Sequence, residues 1–270
     1  MNEVIRMIRE FTQQAKKQNI SAFASSTAFF LFLSGIPMMI LICTIVPYTP
    51  LTQSNLMAVV TELTPDVMDP LAENLILEVY EKSAGILSIA AFTTIWSAGK
   101  GVLALMRGLN AVNDVEEQRN YFVIRIIASL YTVVMLLILI MSLLTIVFGN
   151  QLVELILYKI PQIRGLILFL MNCRFLAVWA VLTLFFCAVY AYVPDKKLRF
   201  REQLPGACFS AVTWSIFSWG FSLYISRSRT YSMYGSLSII VIVMIWLYIC
   251  MYILMIGAYM NRYMAAKAAE

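Results

Sequence analysis

The sequence has no histidine among its 270 residues. That removes imidazole metal sites, histidine-based catalytic triads and histidine proton relays together. No Gly-rich lysine motif able to cradle a nucleotide phosphate is present, so the chain carries no ATPase of its own. The five cysteines, Cys43, Cys173, Cys187, Cys208 and Cys250, include no CxxC pair. Each falls in an apolar stretch and reads as a small buried residue, which excludes a disulfide framework. Charge is scarce too: Asp, Glu, Lys and Arg make up 13% of the chain against 61% hydrophobic residues. With a mean hydropathy of +0.81, the composition excludes an ordinary soluble domain.

What the sequence does have is long apolar runs. Ala22 to Val46, Ala84 to Ala104, Ile126 to Phe148, Leu166 to Val193, Pro205 to Ile225 and Gly235 to Met260 are the six candidates. A hydrocarbon core of ~30 Å crossed at ~1.5 Å per residue requires roughly 20 apolar residues, and each run reaches that length. The expected fold is an all-α integral membrane protein, a bundle of six transmembrane helices with short amphipathic interfacial helices. Six spans and their connections use up residues 1–270 as a single membrane domain. The first run is too long for a cleaved signal and follows a charged amphipathic segment, so it is expected to remain as a span.

Basic residues are divided unevenly between the connections. With a cytoplasmic N-terminus, the inner segments hold thirteen: Arg6, Arg9, Lys16, Lys17, Arg107, Arg119, Arg125, Lys196, Lys197, Arg199, Arg201, Arg262 and Lys267. The outer ones hold five, Lys82, Lys159, Arg164, Arg227 and Arg229. Positive charge is retained on the cytoplasmic side during insertion, so both termini are expected there. Topology accounts for these charges, and no nucleic-acid partner is expected.

In residues 1–20, Val4, Ile8, Phe11 and Ala15 share one helical face while the basic residues lie mostly off it. That pattern suits an amphipathic helix in the inner interface, near anionic head groups. The outer connection, residues 47–83, is acidic: Glu62, Asp66, Asp69, Glu73, Glu78 and Glu81 face only Lys82. Stripes at Leu56, Val59, Leu63 and at Leu71, Leu75, Val79 predict two short helices there. The carboxylates lack the spacing of a calcium loop, so a solvated acidic surface is expected and no metal or cofactor.

Charges inside spans cost roughly 2.5 to 3.5 kcal/mol on insertion scales, so each needs a reason. Ser97, Lys100, Ala104 and Arg107 follow at i, i+3, i+7 and i+10 on one face of the second span, which Asn110 is expected to continue. Arg107 can reach head groups; Lys100 lies about 10 Å deeper. Either Lys100 snorkels, or it faces a wet cavity or a carboxylate in the bundle. Gly99 and Gly101 beside it permit close approach of a neighbouring backbone. In the first span, Pro37 after Ser34 and Gly35 removes a backbone bond and predicts a kink, either a packing device or the broken helix of a transport site. Gly206 with Ser210, and Ala211 with Ser215, form small-residue packing faces. Arg174 stands at the outer end of the fourth span as an anchor or a charge within it. Tyr231 and Tyr234 form an outer aromatic rim able to meet an anionic head group.

Several of these residues carry a family resemblance over nearly the whole chain. They are Phe29-Phe30 with Ser34 and Pro37, and Trp96-Ser97-Ala98-Gly99-Lys100-Gly101 with Arg107, Leu109 and Asn110. Tyr192-Val193-Pro194 with Lys197, Arg199 and Arg201 follows, then Leu204-Pro205-Gly206-Ala207, then Tyr231, Tyr234-Gly235-Ser236-Leu237 and Gly257-Ala258 with Asn261. The chain resembles the YihY/BrkB-like family of bacterial inner-membrane proteins, formerly mislabelled ribonuclease BN. The resemblance implies six transmembrane helices, cytoplasmic termini and the bacterial inner membrane. Where that family commonly has glutamate after the closing Gly-Ala, this chain has Tyr259, which removes a carboxylate partner for a basic residue such as Lys100.

Two functions are carried forward. The first is transport of a lipid-like or anionic envelope molecule through a polar cavity formed by Ser34, Pro37, Ser97, Lys100, Arg107, Asn110, Arg174, Tyr231 and Tyr234. The second is a non-transporting scaffold that recruits envelope proteins. No nucleophile-base pair can be assembled from these side chains, so an enzyme is not expected. Membrane lipids are the expected partners, with a homo-oligomer left open.

Overall fold

A computed structural model describes residues 9, 15, 17–45, 52, 54–55, 57–58, 77, 87–159, 162, 165, 174–196, 198–227 and 236–269. Among them six α-helices stand in order: α1 (Ile20–Ile45), α2 (Leu87–Val112), α3 (Tyr121–Lys159), α4 (Arg174–Tyr192), α5 (Leu204–Arg227) and α6 (Ser236–Ala269). A 3-10 turn, Phe200–Gln203, leads into α5. No strand occurs among the described residues. The N-terminal amphipathic helix, the acidic connection 47–83, Arg164, Tyr231 and Tyr234 lie largely or wholly outside them.

Three apolar segments are long enough to cross a bilayer: Tyr121–Ile138, Phe200–Ile225 and Ile240–Lys267. Shorter apolar helices occupy Ile20–Gly35 and Val178–Tyr192. The all-helical membrane architecture is therefore seen, with three rather than six spans qualifying among the described residues.

Two expected boundaries are corrected. Helix α3 has 39 residues, about 58 Å at 1.5 Å per residue, so the segment expected as a separate outer amphipathic stretch at Glu154 and Lys159 is its continuation. It also begins at Tyr121 rather than Ile126, which takes Arg125 out of the inner loop and into its first turns. There Arg125 is only 2% exposed, the bulkiest of the fully buried side chains.

The chain divides into two compact units. One comprises Met1–Leu33, Lys100–Arg125 and Phe175–Glu270; the other comprises Ser34–Gly99 and Ile126–Arg174. In the first, Ala24 and Ala28, Met106 and Leu109, Phe186 and Tyr190, Ala207 and Ala211, and Met255 and Ala258 supply the core. Phe186 packs on Trp214 with ring centroids 4.9 Å apart and stacks on Tyr190 at 6.2 Å.

Helices α5 and α6 meet backbone to backbone. A Cβ on Gly206 would run into the Gly257 carbonyl and the Asn261 amide; one on Gly257 would strike Ser210, Tyr190 and the Gly206 carbonyl. Small residues permit this approach, and the attraction is then dispersion and polar bonding rather than exclusion of water. Tyr190 Oη donates to the Leu254 carbonyl at 2.8 Å and lies 2.7 Å from Ser210 Oγ. Asn261 Oδ1 accepts the Gly206 N–H at 2.6 Å, while its Nδ2 donates to the Gln203 carbonyl and to Gln203 Oε1. The first N–H groups of α5 lack partners in their own helix, so Asn261 caps α5 from α6.

In the second unit Ala128, Thr132, Leu136 and Ile140 are buried on α3. Gly99 sits so near α3 that a Cβ would lie 3.2 Å from Ser129 Oγ. The close approach expected at Gly99 is thus made against α3. Elsewhere Ile126, Leu130, Val181, Ile216 and Trp219 remain exposed, as lipid-facing side chains would.

Gly206→Ala and Gly257→Ala should each destabilise the protein by about 1–3 kcal/mol through overpacking. Gly220, on the same helix as Gly206, has nothing within 4 Å of its would-be Cβ, and its change to alanine should cost nothing. Thermal unfolding of the three variants in detergent reads the difference; equal melting of all three would refute the contact.

Candidate functional site

Helix α2 carries the charge that composition could not explain. Lys100 and Arg107 are both exposed, and neither has an ion pair among the described residues. Seven residues at about 100° each bring them within about 20° around the axis and place them ~10 Å apart along it. Ser97, one turn earlier, is half-buried.

Asn110 does not continue that face. Ten residues from Lys100 it has turned about 80° away, and it is buried, 3% exposed. Its Nδ2 donates to Glu117 Oε2 at 2.8 Å and its Oδ1 accepts the Asp195 N–H at 2.9 Å. Asn110 therefore ties the end of α2 to the turn that follows α4.

The tie has further strands. Arg119 Nε donates to Glu117 Oε1 at 2.6 Å, and its Nη2 to Oε2 at 2.8 Å. The same Nε lies 2.9 Å from Asp195 Oδ1. The Gln118 N–H donates to Asp195 Oδ2 at 3.3 Å. Two carboxylates thus share one guanidinium, in a geometry where charge-assisted bonds are shortest and strongest. Hydrogen bonds from Arg119 hold the Glu117 carboxyl below its usual range against the opposing effect of partial burial, with the Arg119 charge and Asn110 assisting.

A second tie closes the end of α2. The Asp114 N–H donates to the Ala111 carbonyl at 3.2 Å, and the Val115 N–H to the Asn110 carbonyl at 2.9 Å. Asp114 itself is left-handed, with φ 50°. These bonds form a Schellman end, with aspartate where glycine is usual. Arg262 of α6 donates Nη1 to the Val112 carbonyl at 2.8 Å and pairs through Nη2 with Asp114. A cation at a helix C-terminus also opposes the helix dipole.

The other expected site residues are placed as follows. Ser34 is buried and Pro37 half-buried, within an α1 that runs helical across the proline. Arg174 is the first residue of α4. Tyr231 and Tyr234 lie outside the described residues. Glu117, Asp114 and Asp195 were not singled out in the sequence, because loop carboxylates near loop arginines are common and their pairing is invisible without the turn after α4.

These features define a helical membrane protein whose charged side chains gather at helix ends and along one face of α2. The chain belongs to the BrkB family: the family described as Virulence factor BrkB matches residues 11–270. It is similar to the ribonuclease-like protein YfkH of Bacillus subtilis, 31% identical over 249 residues, covering 88% of this chain and 87% of that one. It is also similar to a UPF0761 membrane protein of Xanthomonas oryzae, 36% identical over 85 residues, which are 30% of this chain and 20% of the other. A UPF0761 membrane protein of Vibrio vulnificus is 38% identical over 74 residues, 27% and 24% of the two chains. No solved structure matches.

The Glu117 carboxylate gives the acid stability a sign. Its folded value is lowered, so its contribution is complete above its ordinary 4.5 and drains as pH falls through the lowered value. Glu117→Gln should therefore flatten the fall in melting temperature below pH 4.5 while leaving the slope between pH 5.5 and 7 unchanged. Parallel acid slopes in the two proteins would show that the carboxylate is not held by Arg119.

Proposed function

We propose that the protein moves a lipid-like or anionic envelope molecule across the bacterial inner membrane, as a transport protein rather than an enzyme. The observation that carries this reading is the exposed pair Lys100 and Arg107 on α2. Lys100 stands 12 residues before the end of that helix, about 18 Å along its axis. An ammonium held at that depth is expensive in hydrocarbon, and a phosphate or carboxylate head passing along the face offsets the cost. Ser97 extends the face with a hydroxyl. Asn110, through its bonds to Glu117 and Asp195, holds the inner end of α2 in register.

Ser34, Pro37, Arg174, Tyr231 and Tyr234 are retained as residues of the path, the two tyrosines as an outer rim. Both termini are placed in the cytoplasm by the excess of basic residues in the inner segments. Membrane lipids, anionic ones included, are the partners. The name of the Bacillus subtilis relative includes the word ribonuclease, whereas the described residues here contain no group of three or more Cys, Asp or Glu able to hold a metal ion.

Reconstitution with a fluorescent anionic phospholipid tests the proposal. Wild-type protein should speed transbilayer movement, and Lys100→Gln should slow it at least five-fold with unchanged melting. A rate equal to protein-free liposomes would refute transport and leave the recruiting scaffold as the better reading.

A further inference from the structure

A cavity of about 320 Å³ lies at the C-terminal end of α6, away from Lys100 and unused by the proposal above. Lys17, Gln18, Tyr259, Arg262, Tyr263 and Ala266 line it. All six belong to the first unit. Its volume, roughly ten times a water's share of the liquid, is at the lower end of small-molecule sites.

Local backbone explains how two distant segments meet there. Asn19 is left-handed, with φ 52°, and its carbonyl accepts the N–H groups of Ala22 and Phe23 at the start of α1. The chain turns at this residue, which brings Lys17 and Gln18 beside the last turns of α6. On α6, Tyr259, Arg262, Tyr263 and Ala266 recur at three- and four-residue spacing, so they share one face. The Tyr259 and Tyr263 ring centroids are 6.4 Å apart.

The cavity's polar groups call for a ligand of definite chemistry. Lys17 is exposed and has no ion pair among the described residues. Arg262 is matched by Asp114, so the charge facing the cavity sums to about one positive. Gln18 Oε1 is buried and has no hydrogen-bond partner. An amide oxygen only accepts, and leaving one buried without a donor costs free energy. The site therefore lacks two things at once: an anion beside Lys17 and a donor for Gln18.

We infer that this cavity binds a phosphate ester whose head also carries a hydroxyl, as in the glycerol-phosphate head of an anionic lipid or the free glycerol phosphate. The phosphate takes Lys17 and the remaining N–H groups of Arg262, and the hydroxyl donates to Gln18 Oε1. Two tyrosines on the apolar helix end suit the polar-apolar boundary at which such a head sits. The inference is independent of whether α2 transports anything.

The test uses the full chain purified in neutral detergent, with binding counted by native mass spectrometry and melting followed in parallel. The probes are phosphatidylglycerol, phosphatidylcholine and glycerol 3-phosphate. Phosphatidylglycerol should bind at least five-fold more tightly than phosphatidylcholine, whose head has no donor. Lys17→Gln and Ala266→Trp, which remove the charge and fill the space, should each abolish that preference. Gln18→Leu should weaken phosphatidylglycerol but leave the protein folded, because it removes an oxygen that has no partner. Saturation by glycerol 3-phosphate with the same variant pattern assigns the site to a soluble ester; phosphatidylglycerol binding alone assigns it to lipid. Equal binding of every probe to wild-type protein, Lys17→Gln and Ala266→Trp would overturn the inference.

Discussion

Inside a bilayer a helix end has no water to satisfy its leftover N–H and C=O groups, so other parts of the protein must do it. Helix α6 does much of that work here. Asn261 takes the Gly206 N–H at the start of α5, and the next residue, Arg262, takes the Val112 carbonyl at the end of α2. A turn or two earlier, the Leu254 and Ile253 carbonyls accept from Tyr190 and Ser210. Over about ten residues one helix therefore bonds to α2, α4 and α5. Each of these bonds requires the backbone to come close, which is why Gly206, Ser210 and Gly257 are small.

That arrangement separates the chain's polar residues by task. Asn110, Tyr190, Gln203, Ser210 and Asn261 are buried and spent on holding helices together. Lys100, Arg107 and Lys17 are exposed and unspent. Family membership fixes the membrane setting, and it is the unspent cations that point to anionic cargo and to an anionic head near α6. The Arg119 cluster lies between these classes: charged, half-buried, and tying the loop after α2 to the turn after α4.

The helical membrane class was legible because apolar runs near twenty residues have few other readings. Small residues in the fifth run marked a packing face, and Gly206 with Ser210 forms one. Asn110 was misplaced on its helix face because a ten-residue spacing departs from a whole number of turns, and a drift of about 80° moves a side chain from the surface to the interior. Arg125 was counted with the loop because a charge at the edge of an apolar run reads as a boundary, whereas α3 begins earlier. The end of α2 was hidden for a different reason: its left-handed residue is aspartate, and the usual glycine signal is missing.

The contact between Gly206 and Gly257 has a genetic corollary. The obstacle facing a side chain at either position includes the other's carbonyl oxygen, which every amino acid carries. Trimming a neighbour therefore opens no room, and suppressors of a lesion at one glycine will not arise at the other. They should come from residues that alter the spacing or tilt of the α5–α6 pair along its length.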